Sequence, residues 1–225
     1  MKIWIPSAVV LLLWFVSGCS SSEPVETAVE PEGHPGLYAP SLMKQSAPAA
    51  FSVRFETTKG ELVVHCERDW APNGVDRFYN LVEAGYFDDA AFYRAIPDYI
   101  VQFGTHGEPE VTQLWSEARI GDDPQQLSNE RGAMSFAQEA PHSRTTQLFI
   151  NLADNSADLD PFGLAPICRV VEGMETVDAI YTGYGELDPK GAGPKPNLLQ
   201  RLGNKYLRRE FPEMDYIKEA TWLEQ

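Results

Sequence analysis

The sequence predicts a mainly β domain whose short strands form a closed barrel or a sandwich. Apolar and polar residues alternate over residues 51–55 and 62–66, on either side of the turn Thr58-Lys59-Gly60. This is the period of a β-hairpin with one buried face. Further short apolar segments follow along the chain, and the helical patterns between them are brief. Many short strands with few helices are typical of all-β barrels and sandwiches.

The first 18 residues have the layout of a secretory signal. Lys2 is followed by an apolar stretch over residues 8–16, which is too short for a spanning helix. The stretch ends in Ser17-Gly18-Cys19, which resembles the lipobox of bacterial lipoproteins, where the cysteine is lipidated after cleavage. We therefore expect an exported protein held in the cell envelope by a lipid on Cys19, with Ser20 favouring the outer membrane. The alternative is a secreted protein in which Cys19 has no role.

Residues 19–50 predict a flexible tether ahead of the folded domain. They are rich in Ser, Pro, Glu and Ala and carry few bulky apolar residues. Such a composition buries too little surface to offset the entropy of ordering. The folded domain is then expected over residues 51–225.

A helix is predicted over residues 75–84, after the hairpin. Val75, Phe78, Leu81 and Val82 share one helical face, and Gly85 is placed to end the helix. A long polar loop is predicted over residues 104–131, and a short helix over residues 174–181. The remaining short apolar segments predict strands, at residues 91–96, 99–103, 133–137, 147–152 and 165–170.

The C-terminal segment allows two interpretations. Residues 183–196 form a Gly/Pro-rich loop, and residues 197–209 have helical spacing. Residues 215–223 fit either a strand or an amphipathic helix on the surface.

Composition argues against several functions. The chain has 33 acidic and 18 basic residues, a formal net charge of −15 that repels nucleic acid and anionic membranes. The four histidines show no ligand spacing, so we expect no metal site and no cofactor.

Besides Cys19 only Cys66 and Cys168 remain, which we interpret as two buried, unpaired thiols. A disulfide between them is the alternative, because an oxidising compartment would permit it.

Two separated segments carry the most specific signal in the chain. Residues 92–104 read FYRAIPDYIVQFG and residues 135–151 read SFAQEAPHSRTTQLFIN. They resemble the cyclophilin patterns F-H-R-x-I-P-x-F-x-x-Q-G-G and S-x-x-x-x-x-P-x-T-x-x-S-Q-F-F-I, in the same order. The chain is on this basis similar to cyclophilin-type peptidyl-prolyl cis-trans isomerases, in a bacterial lipoprotein form.

The resemblance implies a closed eight-stranded antiparallel barrel capped by two helices. Residues 215–223 become the strand that closes the barrel beside the first strand. Residues 183–212, hereafter the insertion, add a loop and an extra helix before it.

The resemblance also implies the site residues. Arg94 would donate hydrogen bonds to the substrate, Gln102 would orient Arg94 or bind the peptide backbone, and Phe149 would form the floor of a proline pocket. The implied peptide-binding residues are Tyr99, Ile100, Phe136, Ala137, Gln138, Leu159 and Leu164.

The implied activity is rotation of X-Pro bonds in exported or unfolded polypeptides by a monomeric enzyme. Phe103 and Leu164 depart from the family pattern, as does an extra residue near Asp158, and Tyr93 replaces a histidine at a position we take as peripheral. These departures motivate two alternatives. One is a non-catalytic proline-peptide-binding module, and the other is a structural lipoprotein whose groove is blocked by Phe103 or by the loop at residues 104–131.

Overall fold

Eight antiparallel strands form one curled sheet, which confirms the predicted mainly β class. The structure is a computed structural model and describes Met1 and residues 33–223; the rest of the predicted signal sequence and Cys19 lie outside the described residues. The strands are β1 (Ala50–Thr57), β2 (Gly60–Glu67), β3 (Arg94–Ile96), β4 (Ile100–Phe103), β5 (Ala133–Phe136), β6 (Leu148–Asn151), β7 (Pro166–Glu172) and β8 (Ile217–Trp222). Their order in the sheet is β3-β4-β6-β5-β7-β2-β1-β8.

Within the described residues, five α-helices connect or flank the strands. They are α1 (Pro72–Glu83), α2 (Pro109–Ser116), α3 (Ser156–Leu159), α4 (Met174–Asp178) and α5 (Pro196–Glu210). Short 3-10 turns occur at Pro35–Leu37, Pro40–Leu42, Arg68–Trp70 and Asp160–Phe162. No helix among these residues is both long and apolar enough to cross a membrane.

The alternating pattern of the first hairpin turns one face of the sheet toward the core. Phe51, Val53 and Phe55 are buried on β1, and Val64 and Cys66 are buried on β2. The apolar face of α1 covers this core, with the rings of Phe78 and Phe55 6.2 Å apart. As predicted, α1 ends where Gly85 takes a φ of +67°. This left-handed conformation costs glycine little.

The two edge strands of the sheet, β3 and β8, approach each other just before each begins. An isolated antiparallel bridge joins Ala91 to Tyr216, and the amide of Ile217 donates to Ala90 O at 2.8 Å. This bridge is what the structure contains of the predicted barrel closure. The strand assignment for residues 215–223 is confirmed, because β8 pairs with β1.

The residues that flank the insertion are joined to each other and to the first hairpin by one carboxylate. Asp215, which follows the insertion, accepts hydrogen bonds from the amide of Tyr181 at 2.8 Å and from the hydroxyl of Thr58 at 2.6 Å. Within the insertion, α5 is broken at Gly203, whose φ of 53° and ψ of −141° are not helical. The next amide, Asn204, donates to Gly107 O at 2.9 Å and docks the helix on the loop before α2.

Two predictions for polar segments are wrong in part. Residues 33–50, predicted as tether, pack on the domain and bury Leu37 and Met43. The predicted loop at residues 104–131 contains α2, whose Trp115 is fully buried and donates its indole N–H to Leu37 O at 2.9 Å. The two errors share one cause, since each segment supplies the contact that orders the other. Residues 33–223 belong to one compact unit.

The prediction of two unpaired thiols is also wrong. Cys66 on β2 and Cys168 on β7 form a disulfide, with their Cα atoms 4.2 Å apart. The two strands are neighbours in the sheet, and the two cysteines are directly opposite each other in the register. Strand pairing places the sulfurs together although 102 residues separate them in sequence.

Candidate active site

The three predicted catalytic residues lie in one row across three neighbouring strands. Arg94 on β3 pairs with Gln102 on β4, and Gln102 pairs with Phe149 on β6. Residues directly opposite in an antiparallel ladder point to the same face of the sheet. The register alone therefore brings a cation, an amide and an aromatic ring side by side.

An apolar pocket lies at the Phe149 end of this row. Phe149, Ile100 and Leu159 are buried against one another, and three partly buried residues complete the cluster: Tyr99, Ala137 and Leu164. All six line a cavity of about 510 Å3 that also reaches Arg94 and Gln102. The structure thus joins a pocket for a small apolar ring to a cationic donor.

Arg94 is held by hydrogen bonds on two sides. Its Nη1 donates to Gln102 Oε1 at 2.9 Å, and its Nε and Nη2 each donate to the carboxylate of Glu186 at 2.6 Å. A guanidinium has five N–H groups. Three are used here, which leaves two for a ligand. The arginine and glutamate side chains are 18% and 29% exposed, so the ion pair is largely sheltered from solvent.

Gln102 is oriented by two residues that the sequence analysis did not assign to the site. Its Nε2 donates to the hydroxyl of Tyr93 at 2.9 Å, and that hydroxyl donates to Gln147 Oε1 at 2.7 Å. Burial raises the pKa of Tyr93, which keeps the phenol protonated. Tyr93 is therefore not peripheral. Gln147 lies inside the recognised motif, and this was the available signal for it.

The insertion forms a second wall of the cavity. Glu186, Leu187, Pro196, Leu199 and Gln200 lie on this side, hereafter the insertion wall, and four of them line the cavity directly. The opposite side, formed by Arg94, Gln102, Phe149 and the apolar pocket, is hereafter the barrel wall.

The hydrogen bonds from Arg94 are the main cause of a lowered pKa at Glu186. Nothing in the sequence near Glu186 indicated this pairing, because 92 residues separate it from Arg94.

Of two neighbouring residues predicted to bind the peptide, Phe136 differs from its expected role and Gln138 does not. Phe136 is buried in the core and does not line the cavity. Its neighbour Ser135 pairs with Phe149, so the alternation of the strand turns Phe136 to the opposite face. Gln138 does line the cavity, and its Nε2 donates to Phe162 O at 3.0 Å, which ties it to the rim.

The departures from the family pattern leave the groove open. Phe103 packs in the core against Phe55 and Phe92, with ring centroids 6.0 and 5.5 Å apart. It does not block the cavity, because Val101 and Phe103 face the core, whereas Gln102 between them faces the cavity. Asp158 is exposed on α3, and the next residue, Leu159, is the one that enters the pocket.

Within residues 33–223, no group of three or more His, Cys, Asp or Glu side chains is arranged to hold a metal ion.

The family of the chain is shown by a match to a family model. Residues 52–197 match the cyclophilin type peptidyl-prolyl cis-trans isomerase/CLD family, which is more than half of the chain. The chain belongs to the cyclophilin-type isomerase family. It is thus a peptidyl-prolyl cis-trans isomerase, as the sequence predicts. The match ends at residue 197, within α5.

Curated relatives agree with this membership. Peptidyl-prolyl cis-trans isomerase B of Escherichia coli is 33% identical over 181 residues, covering 77% of this chain and 99% of the relative. The isomerase cyp18 of Streptomyces antibioticus is 33% identical over 137 residues, covering 57% of this chain and 82% of the relative. The similarity therefore spans nearly whole isomerases.

Solved structures agree on the fold. A cyclophilin-type isomerase of Cryptosporidium parvum superposes with a TM-score of 0.55 at 19% identity, covering 78% of this cyclophilin and 99% of the other chain. A second structure of that protein, obtained in the presence of the dipeptide Ala-Pro, gives a TM-score of 0.54 at 19% identity and covers 77% and 99% of the two chains. At this identity the likeness concerns the fold alone.

Proposed function

We propose that this cyclophilin isomerises X-Pro bonds by holding the proline ring in the apolar pocket while Arg94 donates to the substrate amide. The observation that carries the proposal is the row of Arg94, Gln102 and Phe149 across three paired strands, beside that pocket.

The reaction makes and breaks no bond between heavy atoms. Rotation about the X-Pro bond is slow because it removes amide resonance, with a barrier of roughly 18–20 kcal/mol. In the twisted amide the nitrogen regains its lone pair and becomes a hydrogen-bond acceptor. A fixed donor that binds this nitrogen better than the planar one lowers the barrier.

Arg94 has the chemistry that this task needs. Its guanidinium is permanently charged and planar. Three of its N–H groups donate to Gln102 and Glu186, which leaves two for the substrate. The buried ring of Phe149 and the side chain of Ile100 offer apolar contact to the proline ring. Gln102 then acts through Arg94, since its amide oxygen accepts from the guanidinium.

Activity on a short X-Pro peptide, measured in a protease-coupled assay with the full chain, tests this assignment. We expect Arg94→Ala to lower kcat/KM by roughly 100-fold or more, the usual loss when a transition-state donor is removed. The matched control is Arg169→Ala, which removes an arginine that lies on β7, pairs with Glu130 and does not line the cavity. Unchanged acceleration by Arg94→Ala would overturn the assigned role.

One observation favours the non-catalytic alternative, a proline-peptide-binding module on the same barrel. Glu186 occupies two N–H groups of Arg94, and it reduces the positive charge that faces the peptide. The same assay decides between the two functions. A wild-type chain that binds the peptide without accelerating its isomerisation would be such a module.

The clients we propose are exported or unfolded polypeptides met outside the cytoplasm, with the enzyme acting as a monomer anchored by a lipid on Cys19. The signal layout of residues 1–18 supports export, and Ser20 supports outer-membrane sorting. The disulfide between Cys66 and Cys168 adds support, because disulfides persist in oxidising compartments. Labelled fatty acid should enter the wild-type protein and not Cys19→Ser, which should leave the membrane fraction. Equal labelling of both proteins would contradict the anchor.

A further inference from the structure

The ion pair between Glu186 and Arg94 is the contact through which the insertion reaches the predicted catalytic donor. Both carboxylate oxygens accept from the same edge of the guanidinium, at 2.6 Å each. Such bidentate, charge-assisted pairs fix geometry as well as adding binding energy.

We propose that Glu186 is a positioning residue of the active site, which holds Arg94 in the orientation that the rotating amide requires. This inference rests on the proposed role of Arg94. It assigns to the insertion a part in catalysis that the recognised motifs do not include.

The carboxylate is itself held in place. The residue before it, Gly185, forms a backbone bridge with Ala95, the neighbour of Arg94 on β3. On the other side, Glu186 Oε1 accepts from the amide of Leu187 at 2.8 Å, and Glu186 O accepts from the amide of Gly193 at 2.9 Å. Exposed ion pairs between mobile side chains contribute little. Here the backbone has already fixed the acceptor, so the arginine meets a rigid partner.

Two anchors restrict the guanidinium more than one anchor would. Gln102 binds Nη1, and Glu186 binds the edge formed by Nε and Nη2. The plane of the guanidinium is therefore defined from two directions, and the two remaining N–H groups keep a fixed aim. A long arginine side chain otherwise has considerable rotamer freedom, which would have to be lost in the transition state.

The test is a kinetic comparison of wild type, Glu186→Ala, Glu186→Gln, Arg94→Ala and the double variant Arg94→Ala/Glu186→Ala. We expect Glu186→Ala to lower kcat roughly 10-fold or more, with KM changed less than about twofold. A donor in the wrong orientation stabilises the transition state less, and it leaves the binding of the ground state nearly unchanged. Glu186→Gln should lose less, since its amide oxygen can still accept from one N–H group. The double variant should be no slower than Arg94→Ala alone, because the glutamate acts only through the arginine.

A control just after the insertion is Glu213→Ala, whose side chain is exposed and whose recorded hydrogen bond is from its backbone amide to the hydroxyl of Tyr184. It should leave kcat and KM unchanged. Thermal unfolding of each variant separates misfolding from misplacement, and the isosteric Glu186→Gln keeps the test valid if Glu186→Ala fails to fold.

Three results would overturn the inference. They are an equal or higher kcat in Glu186→Ala, which would make the ion pair inhibitory, an equal loss in Glu213→Ala, and a loss in the double variant that adds to that of Arg94→Ala. Failure of the proposed function looks different, because wild type would then be inactive or Arg94→Ala fully active.

Discussion

The barrel wall and the insertion wall of the groove differ in how their side chains are held. On the barrel wall, Arg94, Gln102 and Phe149 are placed by consecutive pairs of a hydrogen-bonded sheet. On the insertion wall, Glu186 is placed by the single bridge between Ala95 and Gly185 and by turns within its own loop. The difference teaches that the sheet fixes which side chains line the groove, while the insertion, as we propose, sets the orientation of one of them.

The largest effect should come from the covalent link in the barrel. The disulfide joins Cys66 and Cys168 across β2 and β7, whereas the insertion has no cysteine. We expect reduction to lower the free energy of unfolding by about 4 kcal/mol, because the bridge closes a loop of about 100 residues in the unfolded chain. Denaturant unfolding with and without reductant measures this. The double variant Cys66→Ala/Cys168→Ala should not respond to reductant, and wild type with the same midpoint in both conditions would contradict the prediction.

The next largest effect concerns the docking of the insertion. A Cβ at Gly203 would lie 2.0 Å from Gly107 O, and the glycine has a positive φ. We therefore expect Gly203→Ala to cost about 3 kcal/mol, measured by thermal unfolding together with hydrogen exchange of α5. Gly163 has a similar positive φ, and nothing lies within 4 Å of its would-be Cβ. Gly163→Ala should therefore cost only about 1 kcal/mol, and equal losses in the two variants would mean that the contact with Gly107 does not matter.

The third prediction separates the shape of the proposed donor, Arg94, from its charge. Arg94→Lys keeps the positive charge and loses the fork that meets Gln102 and Glu186 together. We expect kcat/KM to fall about 100-fold, which corresponds to about 2.7 kcal/mol. The control Arg169→Lys should be near wild type. A lysine variant with at least half of the wild-type kcat/KM would mean that charge alone suffices and that neither wall needs to fix a plane.

The smallest effect is a titration. The pKa of Glu186 is lowered mainly by its hydrogen bonds from Arg94, and Lys190 is a minor cause. The stabilisation from this carboxylate is present above its ordinary pKa and is lost as the pH falls through the lowered one. Carbon-detected NMR should find the pKa of Glu186 higher in Arg94→Ala than in wild type, with a smaller rise in Lys190→Ala. A larger rise in Lys190→Ala would show that the ion pair does not persist in solution.

The same contrast explains what the sequence could predict. The hairpin and α1 follow from local periodicity. The choice of a strand for β8 and the row of Arg94, Gln102 and Phe149 follow from the family resemblance, which rests on motifs within two short segments. Glu186 could not be found in this way, because its pairing depends on where a long loop returns.

Errors on the barrel side have a similar origin. The role given to Phe136 failed because the motif does not say which face of β5 it occupies, and pairing of Ser135 with Phe149 decides this. The disulfide was missed because adjacency of β2 and β7 is a property of the whole sheet. For α2 a signal existed, since Val111 and Trp115 have helical spacing and are both buried.

Asp215 holds the two ends of the insertion close together. The amide of Tyr181, just before the insertion, and the carboxylate just after it are joined by one hydrogen bond of 2.8 Å. The position at which β8 begins is therefore fixed by Asp215, independently of the length of the chain between the two ends. A change in the length of this segment would leave the pairing of β8 with β1 in place, whereas its contacts with β3 would change. In the laboratory, the same junction is where a segment from another isomerase could be grafted to give the groove a different second wall.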